Sequence, residues 1–383
     1  MQEYDLSFVF PCLNEAETIP IVVSELKEVL ETMNISAEII LSDNGSTDGS
    51  VVLAKKLGCR VVHASKKGYG EALKRGFQMA RGKYIAFADI DGSYPLKYLP
   101  KMYQKAISED SDMVVASRIR GKIEKGAMPF LHRWLGTPIL TRLINFLFQG
   151  KLSDCNSGFR LFKKVSYEKW QVYSGGMEFA SELLIKALKH KAKIVEIPAG
   201  LRPDKRSRAP HLKTWRDGMR HLLFILSETP QLFEHMGLGL IGLSTLLEIL
   251  SILMGPVHMG QMVIFDYHSK LIFMIGLILG IQSFIFSTLL YLTKSQEKPS
   301  RVTKFLMTLK EENLFFCFVL MILGMVVGIT GLVSFWVYHD FHGILVVRIL
   351  LDFVFLFAFV LSFSMGLMQT HIIRRAIKQE EKR

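Results

Sequence analysis

The chain carries two aspartates two positions apart, Asp89 and Asp91, at the close of the apolar run "KYIAFADIDGSYP" (83–95). Paired carboxylates on a turn after a strand supply oxygen ligands for a hard divalent cation. Alone, such a pair marks a turn as readily as a metal site, so its setting has to decide. "SDNGSTDGS" (42–50) offers Asp43 and a run of backbone amides suited to a ribose or a base. "FPCLNEAET" (10–18) adds Pro11, Asn14 and Glu15. "KKGYGEALKRG" (66–76) sets Gly68, Gly70 and basic side chains at a helix start, which suits close backbone approach and negative charge.

These residues need elements to bring them together. Residues 6–13, 38–42, 60–63, 84–89, 112–117 and 193–198 read as strands, near-continuous in Val, Ile, Phe and Ala, as strands covered on both faces are. Helical patterns over 15–33, 48–58 and 69–82 alternate with them. That order predicts an α/β domain with a doubly wound, mainly parallel sheet. Ligands of such sheets lie outside the carboxyl ends of the strands. Pro11 to Glu15, Asp43 to Ser46 and Asp89 to Ser93 are then expected on one rim.

Beyond about residue 230 the composition turns apolar. Stretches near 236–255, 270–293, 314–338 and 344–369 are each long enough to cross a bilayer, which takes about 20 helical residues. Residues 294–313 and the tail 371–383 are rich in Lys and Arg, whereas the other two connections are poor in them. The positive-inside rule then predicts an integral membrane protein whose N-terminal domain and C-terminus both face the cytoplasm, in a bacterial inner membrane or its equivalent. The predicted organisation is a domain over 1–209, an amphipathic interface segment over 210–232, four transmembrane helices over 233–370 and a basic tail over 371–383. Residues 137–151 are a second amphipathic candidate. Glu248, Arg348 and Asp352 fall inside spans and are expected to form a buried cluster tying the first span to the fourth.

The formal charge of +12 fits lipid headgroups and topology, and without a recognisable nucleic-acid module it does not point to nucleic acid. Cys12, Cys59, Cys155 and Cys317 form no CxxC pair, which argues against a structural zinc.

Five motifs in order, "FPCLNEAET", "SDNGSTDGS", "KKGYGEALKRG", "FADIDGSYP" and "SDCNSGFRLF", resemble those of family 2 glycosyltransferases of the GT-A fold, over about Leu6 to Arg208. With "GAMPFLHRWLG" and four trailing spans, the layout is similar to that of polyprenyl-phosphate glycosyltransferases, the group of dolichol-phosphate mannose synthase. The resemblance implies inverting transfer of a sugar from a UDP- or GDP-linked donor to polyprenyl (undecaprenyl or dolichyl) phosphate at the cytoplasmic face, in cell-envelope glycan biosynthesis. It implies Mg²⁺ or Mn²⁺ on Asp89 and Asp91. Pro11, Asn14, Glu15, Asp43, Gly68, Asp89 and Arg202 would bind the donor, Asp91 and Asp154 would be catalytic, and Arg118 and Arg133 would hold the acceptor phosphate. Arg202 stands in "LRPDKRSRA" (201–209), which also contains Lys205, Arg206 and Arg208. Ser93 departs from the pattern, because the mannose synthases carry a glutamine there.

An ionised phosphate acceptor needs positioning more than deprotonation, so an obligatory base at Asp154 is less compelling than it would be for a hydroxyl acceptor. A processive polysaccharide synthase is disfavoured, since Phe130 in "FLHRW" stands where the QxxRW motif has glutamine. The other alternative is a non-catalytic membrane scaffold or lipid-carrier transporter with a degenerate transferase domain. The apolar spans also allow a homo-oligomer.

Overall fold

The computed structural model describes residues 3–207, 214–260, 262–293, 298–309, 311–338 and 344–380. Arg208, residues 210–213 and the end of the basic tail lie outside them. The chain divides into two compact units, Met1–Ile225 and Leu226–Arg383.

The first unit is built on strands β1 (Tyr4–Cys12), β2 (Ala37–Asp43), β3 (Arg60–His63), β4 (Gly82–Phe87), β5 (Met113–Ser117), β6 (Arg160–Lys163) and β7 (Ile194–Pro198), in the order β3-β2-β1-β4-β6-β5-β7. Its helices are α1 (Ile19–Met33), α2 (Ser50–Lys56), α3 (Tyr69–Met79), α4 (Leu99–Ser108), α5 (Thr137–Phe148), α6 (Lys164–Trp170), α7 (Phe179–Lys189) and α8 (Thr214–Ser227). Along β1, Phe8 and Phe10 enter one core and Val9 enters the other, the two-residue alternation of a strand covered on both faces. In the second core the Phe77 ring meets those of Phe87, Phe162, Tyr167 and Phe179. Pro20 falls in the first turn of α1, where a missing N–H costs nothing, and Asn34 in the left-handed region ends that helix.

Register decides which residues reach the rim. Cys12 lies opposite Asp43, and Val9 opposite Phe87, so β1, β2 and β4 release their chains at one edge. The sequence pattern does not reveal β6, which runs antiparallel between β4 and β5 and pairs Arg160 with Phe87 and with Val115. Because β6 runs backwards, its entry rather than its exit is at that edge. The loop 153–159 is thereby delivered beside the end of β4. β5 ends at Ser117 beside Pro198 of β7, so Arg118 and the segment after β7 arrive at the same rim.

Within the predicted interface segment, α8 turns Ile225, Leu222 and Phe224 into the second core of its own unit, while Met219 and Leu223 are exposed. On α5 and the turn before it, Phe130, Trp134, Ile139 and Phe146 are exposed.

The second unit holds α9 (Pro230–Met254), α10 (Tyr267–Thr293), α11 (Arg301–Thr308), α12 (Glu311–Tyr338) and α13 (Ile344–Glu380). Among the described residues, three helical stretches are long and apolar enough to cross a membrane: Pro230–Met254, Tyr267–Thr293 and Val347–Arg374. Ile322–Tyr338 is a shorter apolar stretch. The α9–α10 pair closes on glycine: a Cβ at Gly237 would lie 2.6 Å from Phe284 N, and one at Gly280 would lie 2.9 Å from Ile241 N. Small residues give apolar helices this backbone approach.

The polar cluster expected of Glu248, Arg348 and Asp352 has a different hub. Lys270 on α10, 2 % exposed, donates to Glu248 Oε1 at 3.1 Å on α9 and to Asp352 on α13. Arg348 donates instead to the Ser251 carbonyl at 3.1 Å. Removing one partner of a buried ion pair strands the others' charge. Lys270→Met is expected to cost about 3–5 kcal/mol, read as a lower melting temperature in detergent. Adding Glu248→Gln and Asp352→Asn should recover most of that loss.

Candidate active site

The two acids at the end of β4 are held differently. Asp89 Oδ1 accepts a hydrogen bond from the Tyr69 hydroxyl at 2.9 Å, at the start of α3. A Cβ on Gly158 would lie 2.5 Å from Asp89 Oδ2, so only glycine lets the loop before β6 pass this close. Burial, and then the charge of Asp91, push the Asp89 carboxyl up to about 7. Asp91 Oδ1 accepts from the Ser93 amide at 2.9 Å and the Ser93 hydroxyl at 2.6 Å. Its Oδ2 pairs with Arg206 at 2.9 Å. Ser93 therefore serves the turn itself.

"SDCNSGFRLF" builds the opposite wall. Arg160, fully buried, donates to the carbonyls of Ser157 at 2.8 Å, Ala180 at 2.6 Å and Cys155 at 2.9 Å. It is the peg that holds the loop, while Gly158 N donates to the Tyr94 hydroxyl at 2.7 Å. Asp154 is wholly buried and takes Arg118 in a fork, Nε to Oδ2 and Nη2 to Oδ1, both at 2.8 Å, with the Arg118 amide at 3.0 Å. Burial alone would push the Asp154 pKa up, but the charge and hydrogen bonds of Arg118 outweigh it and hold the carboxyl below its ordinary value. Glu196 on β7 anchors the same turn by accepting from the Ser153 amide at 2.9 Å and hydroxyl at 2.7 Å. Asp154, so held, is a poor proton acceptor and a good clamp for a guanidinium.

On the far side of Asp89, the ends of β1 and β2 are laced together. Asn14, at φ 58°, accepts from Thr47 N at 2.7 Å, and its own amide donates to Ser46 Oγ at 2.9 Å. Asp43 accepts from the amides of Gly45 at 3.1 Å and Ser46 at 3.0 Å, and lies 3.1 Å from His63 Nδ1. These contacts, led by Ser46, overcome its burial and lower its pKa. Gly68, at φ 143°, ties to Asn44 through its amide at 2.7 Å, and a Cβ there would strike the Gly175 carbonyl at 2.2 Å. Pro11 closes this wall on β1 opposite Ser42.

Of the remaining expected residues, Arg202 is engaged by Glu25 and by the Gly92 carbonyl at 2.6 Å. Arg133 is exposed, over the Trp134 ring at 5.3 Å, on a π-helical turn His132–Gly136. Burial, and then the charge of Arg118, lower the pKa of neighbouring His132. Tyr69 and Tyr94 were not singled out from sequence, although both stand inside the motifs. A cavity of about 670 Å³ between α3 and α6, lined by Lys74, Arg75, Lys164, Glu71 and Glu168, includes none of Asp89, Asp91 and Asp154.

The donor set suits a divalent cation. Two adjoining carboxylates, one with its pKa raised by burial and then by the other's charge, are relieved by a dication. Among the described residues no group of three or more His, Cys, Asp or Glu is arranged to hold a metal. Asp89 and Asp91 would thus provide part of a shell completed by substrate oxygens and water, as Mg²⁺ commonly has it.

Gly158→Ala should push Asp89 out of place, lower kcat/KM about 100-fold, the scale of an ångström misplacement, and cost about 1–3 kcal/mol of stability by overpacking a buried contact. Asp154→Ala should also lower stability by about 3–5 kcal/mol, because Arg118 is left unpaired. A simple proton acceptor would leave melting untouched. Calorimetry with initial rates checks both.

Residues 7–170 match glycosyl transferase family 2. The low-salt glycan biosynthesis hexosyltransferase Agl6 of Haloferax volcanii is 37% identical over 247 residues, 64% of this chain and 59% of its own length. The dolichyl-phosphate hexose transferase of the same organism is 30% identical over 205 residues, 52% of this chain and 84% of its own. A mycobacterial protein of known structure shares the fold, with a TM-score of 0.50 and 21% identity over 59% of this chain and 75% of that one. The chain thus spans less than two thirds of Agl6 but most of the dolichyl-phosphate enzyme. On the family match and the second relative's coverage, the chain belongs to glycosyltransferase family 2.

Proposed function

We propose that the protein transfers a hexose-type sugar from a nucleotide donor to a polyprenyl phosphate, with inversion and with help from Mg²⁺ or Mn²⁺. The observation that carries this reading is the meeting, on one rim, of the Asp89–Asp91 pair and the Arg118–Asp154 fork. One feature suits a diphosphate with its cation, the other a second phosphate. The dolichyl-phosphate relative supports a lipid phosphate as the acceptor.

In this reading an acceptor phosphate oxygen attacks the anomeric carbon as the bond from that carbon to the diphosphate oxygen breaks. The electron pair leaves with the nucleoside diphosphate, and one displacement inverts the centre. The acceptor is already ionised, so no proton has to move. Asp89 and Asp91 would hold the cation, which supplies charge stabilisation for the departing diphosphate. Asp43, Asn14 and the Gly68 turn would seat the nucleoside, with Pro11 and Glu15 on the same wall. Arg118, locked by Asp154, would present a fixed cation to the acceptor, with Arg133 on the neighbouring turn. Asp154 then acts as a positioning residue. The exposed Phe130, Trp134, Ile139 and Phe146 suit a lipid-bound acceptor. The basic segments 294–313 and 371–383 favour a cytoplasmic face for the reaction.

The test is incubation of purified protein with polyprenyl phosphate, Mn²⁺ or Mg²⁺, and a panel of UDP- and GDP-sugars. Labelled glycolipid should form with one donor, cease with chelator, and be lost in Asp91→Asn at unchanged melting temperature. Full-rate product from the chelated protein or from that variant would defeat the proposal.

A further inference from the structure

A half-buried guanidinium, that of Arg206, lies against the acidic turn. Arg206, 13% exposed at its side chain, directs Nη2 to Asp91 Oδ2 at 2.9 Å and to Asp204 Oδ2 at 3.1 Å, and Nη1 to Glu15 Oε1 at 3.2 Å. Its Nε is buried without a hydrogen-bond partner. Ser93 takes the other oxygen of Asp91. Both oxygens of the carboxylate expected to ligate a dication are therefore occupied, one of them by a positive charge that the chain itself supplies.

The segment bearing Arg206 is fastened over the acidic turn. Lys205 N donates to the Asp91 carbonyl at 2.8 Å and Arg202 N to the Ser93 carbonyl at 3.0 Å. Ser207 donates to Glu17 from its amide at 3.0 Å and its hydroxyl at 2.9 Å. Gly92, at φ +78°, brings its Cα so close that a Cβ would lie 3.0 Å from Lys205 Cδ. The strap 202–207 and the Asp89–Asp91 turn thus fit face to face, joined mostly by hydrogen bonds and one guanidinium.

We infer that Arg206 is an exchangeable counter-cation: it pairs with Asp91 and must leave before a dication can ligate there. This rests on the metal reading given above and extends it to the order and coupling of binding. A dication arriving alone has to displace Arg206 from Asp91 and Glu15 with nothing offered in return. A dication arriving with a nucleoside diphosphate offers the freed guanidinium an anion to which Arg forks well. Arg206 therefore makes metal and nucleotide bind together and keeps free metal out.

The experiment measures Mn²⁺ binding to the full-length protein in detergent by electron paramagnetic resonance, alone and with saturating UDP or GDP, and so does not depend on turnover. Wild type should bind Mn²⁺ weakly alone and much more tightly with nucleotide. Arg206→Gln should bind Mn²⁺ alone about tenfold tighter and lose most of the enhancement by nucleotide, within the range usual for coupled sites. Arg206→Lys keeps the charge without the fork and should fall between the two, which covers the case in which Arg206→Gln does not fold. Mn²⁺ binding no tighter in either variant than in wild type overturns the inference while leaving the metal site standing. Wild-type Mn²⁺ affinity in Asp91→Asn removes the metal site, and this inference with it.

Discussion

Two carboxylates pressed together beneath a protein surface repel each other, and the catalytic domain is organised around that repulsion. The acidic turn after β4 is tolerated because each of its oxygens has a defined neighbour: a phenol and a glycine face for Asp89, a serine and a guanidinium for Asp91. The surroundings follow from that constraint. Loops that approach the turn must be bare of Cβ or must bring a donor, and those of this rim do one or the other. The same residues balance two carboxylates with one close guanidinium, so the turn carries an excess of negative charge.

The second wall exists because one strand runs backwards. Had β6 run parallel to its neighbours, its preceding loop would emerge at the opposite edge, far from the acids. Reversal places Asp154, Gly158 and Arg160 at the rim, and the three divide the labour. Arg160 fixes the loop from beneath, Gly158 admits it against Asp89, and Asp154 aims Arg118. A motif that looks like a patch of reactive side chains is, in large part, scaffolding for one arginine.

Much of this was legible in sequence, for physical reasons. Strands buried on both faces leave unbroken apolar runs, so β1, β2, β4 and β5 announce themselves, and the rule that ligands gather at their carboxyl ends collects the acids. Short β6 gives no such signal: four residues behind a glycine carry neither length nor alternation. Pairings between distant segments are equally silent. Arg206 meets Asp91 across 115 positions, and nothing local to "LRPDKRSRA" tells which of its basic residues turns inward. Arg202, the more conspicuous choice, is committed to Glu25 and the Gly92 carbonyl. Lys270 escaped notice because it stands at the edge of an apolar stretch, where a lysine reads as a helix boundary rather than as the centre of an ionic cluster.

That lysine bears on biogenesis. A ribosome delivers α9 and α10 before α13, so Asp352 does not yet exist when Lys270 first leaves water. Glu248, its partner at 3.1 Å, lies on the earlier helix and is already present. One ion pair is thus available from α9 and α10 alone, and α13 completes the cluster through Asp352.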